Sequence, residues 1–195
     1  LRWIINGQYE SGEISIIKKT LSKEDKVLEI GSGLGFVTSY CTLIVGNNQV
    51  VSYEANPLNV EMALQVFRKN QVSPELRNAM LGDKYGSVSF PVNRNKRLAS
   101  SILTTGNELV EVPIEPLNKV IRQLQPTYLI MDIEGAEYDV FRILDPYSIK
   151  KIQFELHPEL LGETKSMQIF RILKEHGFVK DEDCSLHPNY FFKRS

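Results

Sequence analysis

The chain has 195 residues, of which 42% are hydrophobic and 24% are charged, and its formal net charge is -1. This length and composition fit one globular domain with a single core, which we expect to span residues 1–195. Because the chain carries no excess of positive charge, nothing in its composition supports binding to a polyanion, and neither nucleic acid nor a membrane is an expected partner.

The cysteines and the first residues bear on where the protein acts. Cys41 and Cys184 have no CxxC neighbour, which excludes a disulfide scaffold and a four-cysteine zinc site. No apolar run approaches the ~20 residues of a membrane span, and residues 1–10 lack the pattern of a signal peptide. We therefore expect a cytoplasmic protein. The first residue is Leu1 rather than Met, so a truncated N-terminus stays open, as does the oligomeric state.

Short apolar runs alternate with amphipathic stretches in the first half of the chain, which is typical of an α/β fold. Apolar residues at helical spacing predict helices, and brief apolar runs next to glycine or turn residues predict strands. In chain order, these are helix 13–21, strand 27–30, helix 36–45, strand 49–53, helix 56–70 and strand 76–81.

The second half begins with a turn over 82–86 and a strand over 87–92 that we expect to extend the sheet. Residues 94–106 are polar and irregular, which is typical either of a solvated loop or of a binding lid. In the lid interpretation, Lys96 or Arg97 guides an anionic or sugar-like acceptor. The remaining predicted elements are helix 117–124, strand 128–133, helix 138–144, strand 151–156, helix 164–176 and strands 179–183 and 190–193.

A glycine-rich turn follows the first predicted strand. Gly31, Gly33 and Gly35 alternate there, so the backbone can turn sharply and a ligand can approach it without meeting a Cβ. The GxGxG spacing differs from the GxGxxG of dinucleotide-binding enzymes, and the GK[ST] ending of a P-loop is missing. Glu29 precedes the turn, and Glu54 closes the next strand, where a carboxylate can accept hydrogen bonds from ribose hydroxyls. Together they predict an adenosine-containing ligand at the carboxyl edge of the sheet.

These segments resemble known motifs. Residues 29–35 resemble the first motif of class I S-adenosylmethionine (SAM)-dependent methyltransferases, and residues 53–57 resemble their second-strand acid motif. More narrowly, the chain resembles the FkbM family of methyltransferases over nearly its whole length. The segment 132–137, of the form DxEGxE, is the most family-specific feature. The other shared features are residues 9–10, 82–86, 112–113 and 154–157.

The resemblance implies a Rossmann-like class I methyltransferase sheet that is mostly parallel, with an antiparallel C-terminal edge hairpin and helices on both faces. It also implies SAM as the cofactor and S-adenosylhomocysteine (SAH) as the product. The implied cofactor contacts are Glu29, Gly31, Ser32, Gly33, Gly35 and Phe36 at the methionine portion, Glu54 at the ribose, Ala55, Asn56, Met80 and Leu81 around the adenine, and Asp132 near the sulfonium. Met80 and Leu81 are apolar where many class I enzymes read the adenine amino group, so that contact stays unassigned, with Asp83 as a weaker candidate.

Two strand ends supply candidate catalytic residues. Asp132 and Glu134 are two positions apart and would point to the same side of a continuing strand, while Glu155 and His157 end the next strand. Glu134, Glu155 and His157 could each serve as a base toward a hydroxyl acceptor, and the sequence does not choose among them. A structural alternative is that Glu134 or Glu137 stabilises the start of the following helix.

A metal site at Asp132, Glu134 and His157 is a minor alternative. No HExxH or other metal-binding spacing occurs in the chain, and we expect no metal.

The leading functional hypothesis is therefore a SAM-dependent methyltransferase that methylates a hydroxyl of a small-molecule or glycan-like acceptor. A second hypothesis is an NAD-dependent oxidoreductase, although the GxGxG spacing counts against it. A third is a domain that binds the cofactor without catalysis.

Overall fold

The computed structural model describes residues 11–92 and 108–194. Helices and strands alternate along most of this length, as the sequence predicts. The elements are α1 (Ser11–Thr20), β1 (Val27–Ile30), α2 (Phe36–Val45), β2 (Val50–Tyr53), α3 (Pro57–Lys69), β3 (Glu75–Arg77), β4 (Met80–Gly82), β5 (Gly86–Val92), β6 (Glu108–Pro116), α4 (Leu117–Leu124), β7 (Tyr128–Met131), α5 (Glu137–Ile143), β8 (Lys151–Glu155), α6 (Pro158–Leu161), α7 (Glu163–Glu175), β9 (Val179–Lys180) and β10 (Asn189–Lys193).

Seven strands form the main sheet in the order β3-β2-β1-β7-β8-β10-β9. The pairs from β3 to β8 are parallel, whereas β10 is antiparallel to both β8 and β9. The predicted mostly parallel sheet with an antiparallel edge hairpin is confirmed, although β9 is shorter than the strand predicted over 179–183. Because β1, β2, β7 and β8 are parallel neighbours, their carboxyl ends meet at one edge of the sheet.

Helices cover both faces of the main sheet, as predicted. Successive side chains of a strand point to opposite faces, so Leu28 packs in the core with α4, α5 and α7, while Val27 packs with α1 and α2. Tyr128 and Leu129 divide between the two cores in the same way. None of the helices in residues 11–92 and 108–194 has the length and apolar character needed to cross a lipid bilayer.

A second sheet of three strands, in the order β4-β6-β5, corrects two predictions. The single strand predicted over 76–81 is wrong, because the chain leaves the main sheet after β3 and enters the second sheet at β4. Between them, Asn78 Nδ2 donates hydrogen bonds to the carbonyl oxygens of Glu54 and Ala55, at 2.8 and 3.0 Å, which turns the chain around the end of β2.

The strand predicted over 87–92 exists as β5, but it does not extend the main sheet. It pairs with β6, antiparallel and in register from Gly86↔Ile114 to Val92↔Glu108. We did not predict β6, since Glu108, Glu111 and Glu115 interrupt its apolar residues and glutamate is uncommon in strands.

Candidate functional site

A cavity of about 330 Å³ opens at the carboxyl edge of the main sheet, a size typical of small-molecule sites. Residues that follow β1, β2 and β7 line it, together with residues of β4 from the second sheet. The lining includes Gly31, Gly33, Glu54, Ala55, Met80, Leu81, Asp83, Asp132 and Glu134.

Gly31 fixes the floor of this cavity. Its N–H donates a hydrogen bond to the Tyr53 carbonyl oxygen at 2.8 Å, and its φ of +88° lies in the left-handed region. A Cβ at this position would lie 1.8 Å from the carbonyl oxygen of Asp132. Only glycine can therefore join the end of β1 to the end of β7 at this separation.

Glu54 lies at the end of β2 and is 6% exposed. Its Oε2 accepts a hydrogen bond from the Gly33 N–H at 2.8 Å, and its Oε1 accepts one from the Asn56 N–H at 2.7 Å. Burial raises the pKa of Glu54 to about 7, against the effect of those two hydrogen bonds and of a third with the Asn59 side chain. Since each carboxylate oxygen has a second lone pair, Glu54 can hold the glycine turn and still accept hydrogen bonds from a ligand.

The structure places some of the expected cofactor contacts away from the large cavity. Asn56 is fully buried, and its Oδ1 caps α3 by accepting a hydrogen bond from the Leu58 N–H at 3.0 Å. Gly35 permits close packing of α2 on α3, since its Cβ would lie 2.6 Å from a Phe67 ring atom. Phe36 begins α2, and it is not among the residues that line the cavity.

Glu29 is likewise buried beneath the glycine turn. Its Oε2 accepts hydrogen bonds from the hydroxyls of Thr38 and Ser52, the second at 2.7 Å, so it ties β1 to α2 and β2. Burial raises its pKa to about 7. Glu29 lines a second, smaller cavity rather than the large one, so its direct part in holding a cofactor remains a prediction.

The turn after β7 differs from our expectation. β7 ends at Met131, and Glu134 has a left-handed φ of 51°, so Asp132 and Glu134 do not lie on a continuing strand. The prediction that they share a side on that basis is wrong, because the chain turns sharply over Glu134 and Gly135 into α5. Both residues nevertheless line the large cavity, and Asp132 also lines the small one.

His157 lies among three carboxylates, those of Asp132, Glu137 and Glu155. Its Nδ1 donates a hydrogen bond to Oε1 of the fully buried Glu137 at 2.8 Å, and its Nε2 is 3.8 Å from both Asp132 Oδ1 and Glu155 Oε1. Burial alone would lower the pKa of His157, but the hydrogen bond to Glu137 and the nearby carboxylates raise it to about 9. These carboxylates therefore favour the protonated form of the imidazole.

Glu155 lies at the end of β8 and belongs to the same group. Burial and a hydrogen bond with Glu13 raise its pKa to about 7. Glu13 is not among the predicted site residues, and Glu137 was expected only to stabilise the start of a helix. The DxEGxE segment contains Glu137 and could have indicated that it belongs to the site. Nothing in the sequence links Glu13 to the carboxyl edge of the main sheet.

Residues 9–10 of the family resemblance and the proposed acceptor contacts Lys96 and Arg97 lie outside the described residues. A role for 94–106 as a lid therefore stays a prediction.

Comparison with known proteins identifies a family and a fold. A family model described as "Methyltransferase FkbM domain" matches residues 29–180, whereas no curated protein matches the chain. Among solved structures, precorrin-6y C5,15-methyltransferase from Geobacter metallireducens GS-15 is 12% identical, with a TM-score of 0.58 and coverage of 95% of this chain and 88% of that chain. Magnesium protoporphyrin IX methyltransferase from Synechocystis PCC 6803, solved with bound SAM, is 13% identical, with a TM-score of 0.53 and coverage of 96% and 77%. At such low identity, these similarities show the fold.

Proposed function

Because the chain belongs to the FkbM family of SAM-dependent methyltransferases, we propose that it methylates a hydroxyl group of a small-molecule or glycan-like acceptor. The observation that carries this proposal is a single cavity lined both by Glu54 and by the Asp132–Glu134 turn. The cavity thus offers a carboxylate for a ribose and, in the same space, carboxylates for the reacting groups. The FkbM family of the chain favours methyl transfer over the activity of an NAD-dependent oxidoreductase.

The residues present fit a SAM molecule. The cavity volume of about 330 Å³ suits a small molecule, and Gly31 and Gly33 of the glycine turn both line the cavity. Glu54 would accept hydrogen bonds from the ribose hydroxyls, and Ala55, Met80 and Leu81 would surround the adenine. When bound, the sulfonium supplies a methyl group that is already activated for displacement.

The protein's own contribution is then to position the acceptor and take its proton. Of the three candidate bases, Glu134 lines the large cavity, whereas neither Glu155 nor His157 does. The hydrogen bond to Glu137 and the nearby carboxylates raise the pKa of His157 to about 9, which favours the protonated imidazole over a role as the base. We therefore assign Glu134 to the acceptor hydroxyl and Asp132 to the space beside the methyl donor.

The first test is calorimetric titration of the protein with SAH. We expect one site per chain, and Glu54→Ala should weaken SAH binding about 100-fold, because two hydrogen bonds to a charged acceptor are lost at about 1.5 kcal/mol each. Glu61→Ala removes an exposed glutamate of α3 and is the matched control, which should bind like the wild type. Glu134→Gln should keep SAH affinity and lower kcat. Failure of the wild-type protein to bind either SAM or SAH would contradict the proposal.

The acceptor class is tested with isotopically labelled SAM and paired sugars. A methyl glycoside and its amino-sugar counterpart differ at one position, which carries a hydroxyl in the first and an amine in the second, and we expect label on a glycoside oxygen. Transfer only to the nitrogen of the amino sugar would contradict O-methylation but leave SAM binding intact.

A further inference from the structure

A second cavity lies beside the large one and is lined by carboxylates. Its volume is about 10 Å³, the size of one water molecule or one small ion. Glu13 of α1, Asp132 and Glu155 all line it, so three elements that are distant in sequence bring acids together. One carboxylate oxygen from each lies within 4.8 Å of the other two.

Among the described residues, little positive charge faces this group. Within residues 11–92 and 108–194, His157 is the only cationic side chain that comes within 4.0 Å of these carboxylates. The Nδ1 atom of His157 is already hydrogen-bonded to the buried Glu137. One histidine thus faces four carboxyl groups, and like charges so close together are costly unless another positive charge joins them.

Two buried polar atoms independently indicate a ligand. Ser32 is 2% exposed and lines the small cavity, yet its hydroxyl oxygen has no hydrogen-bond partner among the described residues. The Oδ1 atom of Asp132 is also buried without a hydrogen-bond partner there. Buried polar atoms are nearly always paired, so these two oxygens indicate a partner outside the described residues.

The dimensions fit a metal ion that prefers oxygen ligands. Opposite oxygens around Ca²⁺ are about 4.8 Å apart, and those around Mg²⁺ are about 4.2 Å apart. The limit of 4.8 Å on the three separations is no wider than the coordination sphere of Ca²⁺, and a smaller ion would require the carboxylates to move closer together. We propose that Glu13, Asp132 and Glu155 bind one divalent cation of the Mg²⁺, Mn²⁺ or Ca²⁺ class, with the Ser32 hydroxyl as a fourth polar partner.

The position of this site gives it a functional consequence. Gly31 and Asp132 line both cavities, so the cation would lie next to the proposed SAM site. There it would lower the pKa of an acceptor hydroxyl that reached it. This consequence rests on the proposed methyl transfer, whereas binding of the cation does not.

The test uses Mn²⁺ as the probe on the full chain after chelator treatment and dialysis. Electron paramagnetic resonance of free Mn²⁺ should show one bound ion per chain, and Ca²⁺ should compete for it. Glu13→Gln and Glu155→Gln should each weaken Mn²⁺ binding about tenfold or more. Glu111→Gln removes an exposed carboxylate of the second sheet and is the matched control, which should leave binding unchanged. Circular dichroism of each variant verifies its fold.

The two proposals fail in different ways. Glu54→Ala should lose SAH and keep Mn²⁺, whereas Glu13→Gln should lose Mn²⁺ and keep SAH. Fewer than one bound Mn²⁺ per wild-type chain, or a folded Glu13→Gln variant with wild-type affinity, would overturn the cation site. Release of Mn²⁺ by saturating SAH would overturn it too, since the acids would then serve the cofactor's ammonium group.

Discussion

Two aspartates at opposite edges of the main sheet differ in how they are held. At the amino edge, Asp25 precedes β1 and is 5% exposed. Its Oδ2 accepts hydrogen bonds from the Ser22 N–H at 2.8 Å and from Lys151 Nζ at 2.7 Å, and its Oδ1 accepts one from the Thr127 hydroxyl at 2.9 Å. Since Thr127 precedes β7 and Lys151 begins β8, one carboxylate ties together the starts of three parallel strands.

At the carboxyl edge, Asp132 follows β7 and has no such partners. Its buried Oδ1 accepts no hydrogen bond within the described residues, and the nearest charged nitrogen, on His157, is 3.8 Å away. Burial raises the pKa of Asp132 well above its usual range, whereas the hydrogen bonds of Asp25 outweigh burial and lower its pKa. The comparison indicates that the amino edge is built for stability, while the carboxyl edge keeps polar groups available for ligands.

Gly31→Ala should have the largest effect, because it breaks the close join on which the carboxyl edge depends. The new Cβ would lie 1.8 Å from the Asp132 carbonyl oxygen, at a φ of +88°. Backbone strain and overpacking together should lower the free energy of unfolding by about 4 kcal/mol. Urea denaturation measures this loss, and calorimetry should show that SAH no longer binds.

Gly177→Ala is the matched control for this change. Its φ of +81° is similar, but nothing lies within 4 Å of the added Cβ. It should therefore cost only the strain of the left-handed backbone, about 1 kcal/mol. Equal losses in the two variants would mean that the clash with Asp132 contributes nothing.

Asp25→Asn should come next and should affect stability alone. The substitution removes the charge and leaves Lys151 without its carboxylate partner, so we expect a loss of about 2 kcal/mol at pH 7. Because the folded pKa of Asp25 is lowered below 3.8, its stabilisation is present above pH 3.8 and disappears as the pH falls through the folded value. The difference between wild type and variant should shrink over that acidic range in urea denaturation.

Glu175→Gln serves as the comparison for Asp25→Asn. It breaks an exposed pair with Arg171, in which the side chains are 79% and 61% exposed, so its effect should stay within about 0.5 kcal/mol. Both variants should bind SAH like the wild type. A loss of SAH affinity in Asp25→Asn would contradict the division of roles between the two edges.

The same contrast explains what the sequence could predict about the fold. β1 and β7 were predictable because each is a short apolar run, and the glycine turn marks the end of β1. The break between β3 and β4 was not, because it depends on hydrogen bonds from Asn78 to carbonyls more than twenty residues earlier in the chain. β6 was not predictable either, because the glutamates of β6 interrupt the apolar pattern and its pairing with β5 is formed only in the folded chain.

For the site, local motifs indicated the positions of Glu54 and Asp132, and both line the large cavity. Glu13 and Glu137 gain their importance from contacts with Glu155 and His157, which only the folded chain creates. The left-handed conformation of Glu134 was also hidden, because it belongs to a turn where we expected a strand to continue.

Of the three substitutions at the two edges, Asp132→Asn should have the smallest effect on stability, and of the opposite sign to Asp25→Asn. The folded pKa of Asp132 is raised, so the wild type loses stability as the pH rises from 3.8 through the folded value. The uncharged asparagine amide avoids the cost of a buried negative charge. The free energy of unfolding of the variant, relative to that of the wild type, should therefore rise with pH in metal-free buffer. Because the side chain is 38% exposed, solvent screens the charge, and we expect a gain of only about 1 kcal/mol at pH 8. Thermal denaturation at pH 5 and pH 8 measures the trend, and a stability loss like that of Asp25→Asn would show that both edges use their acids structurally.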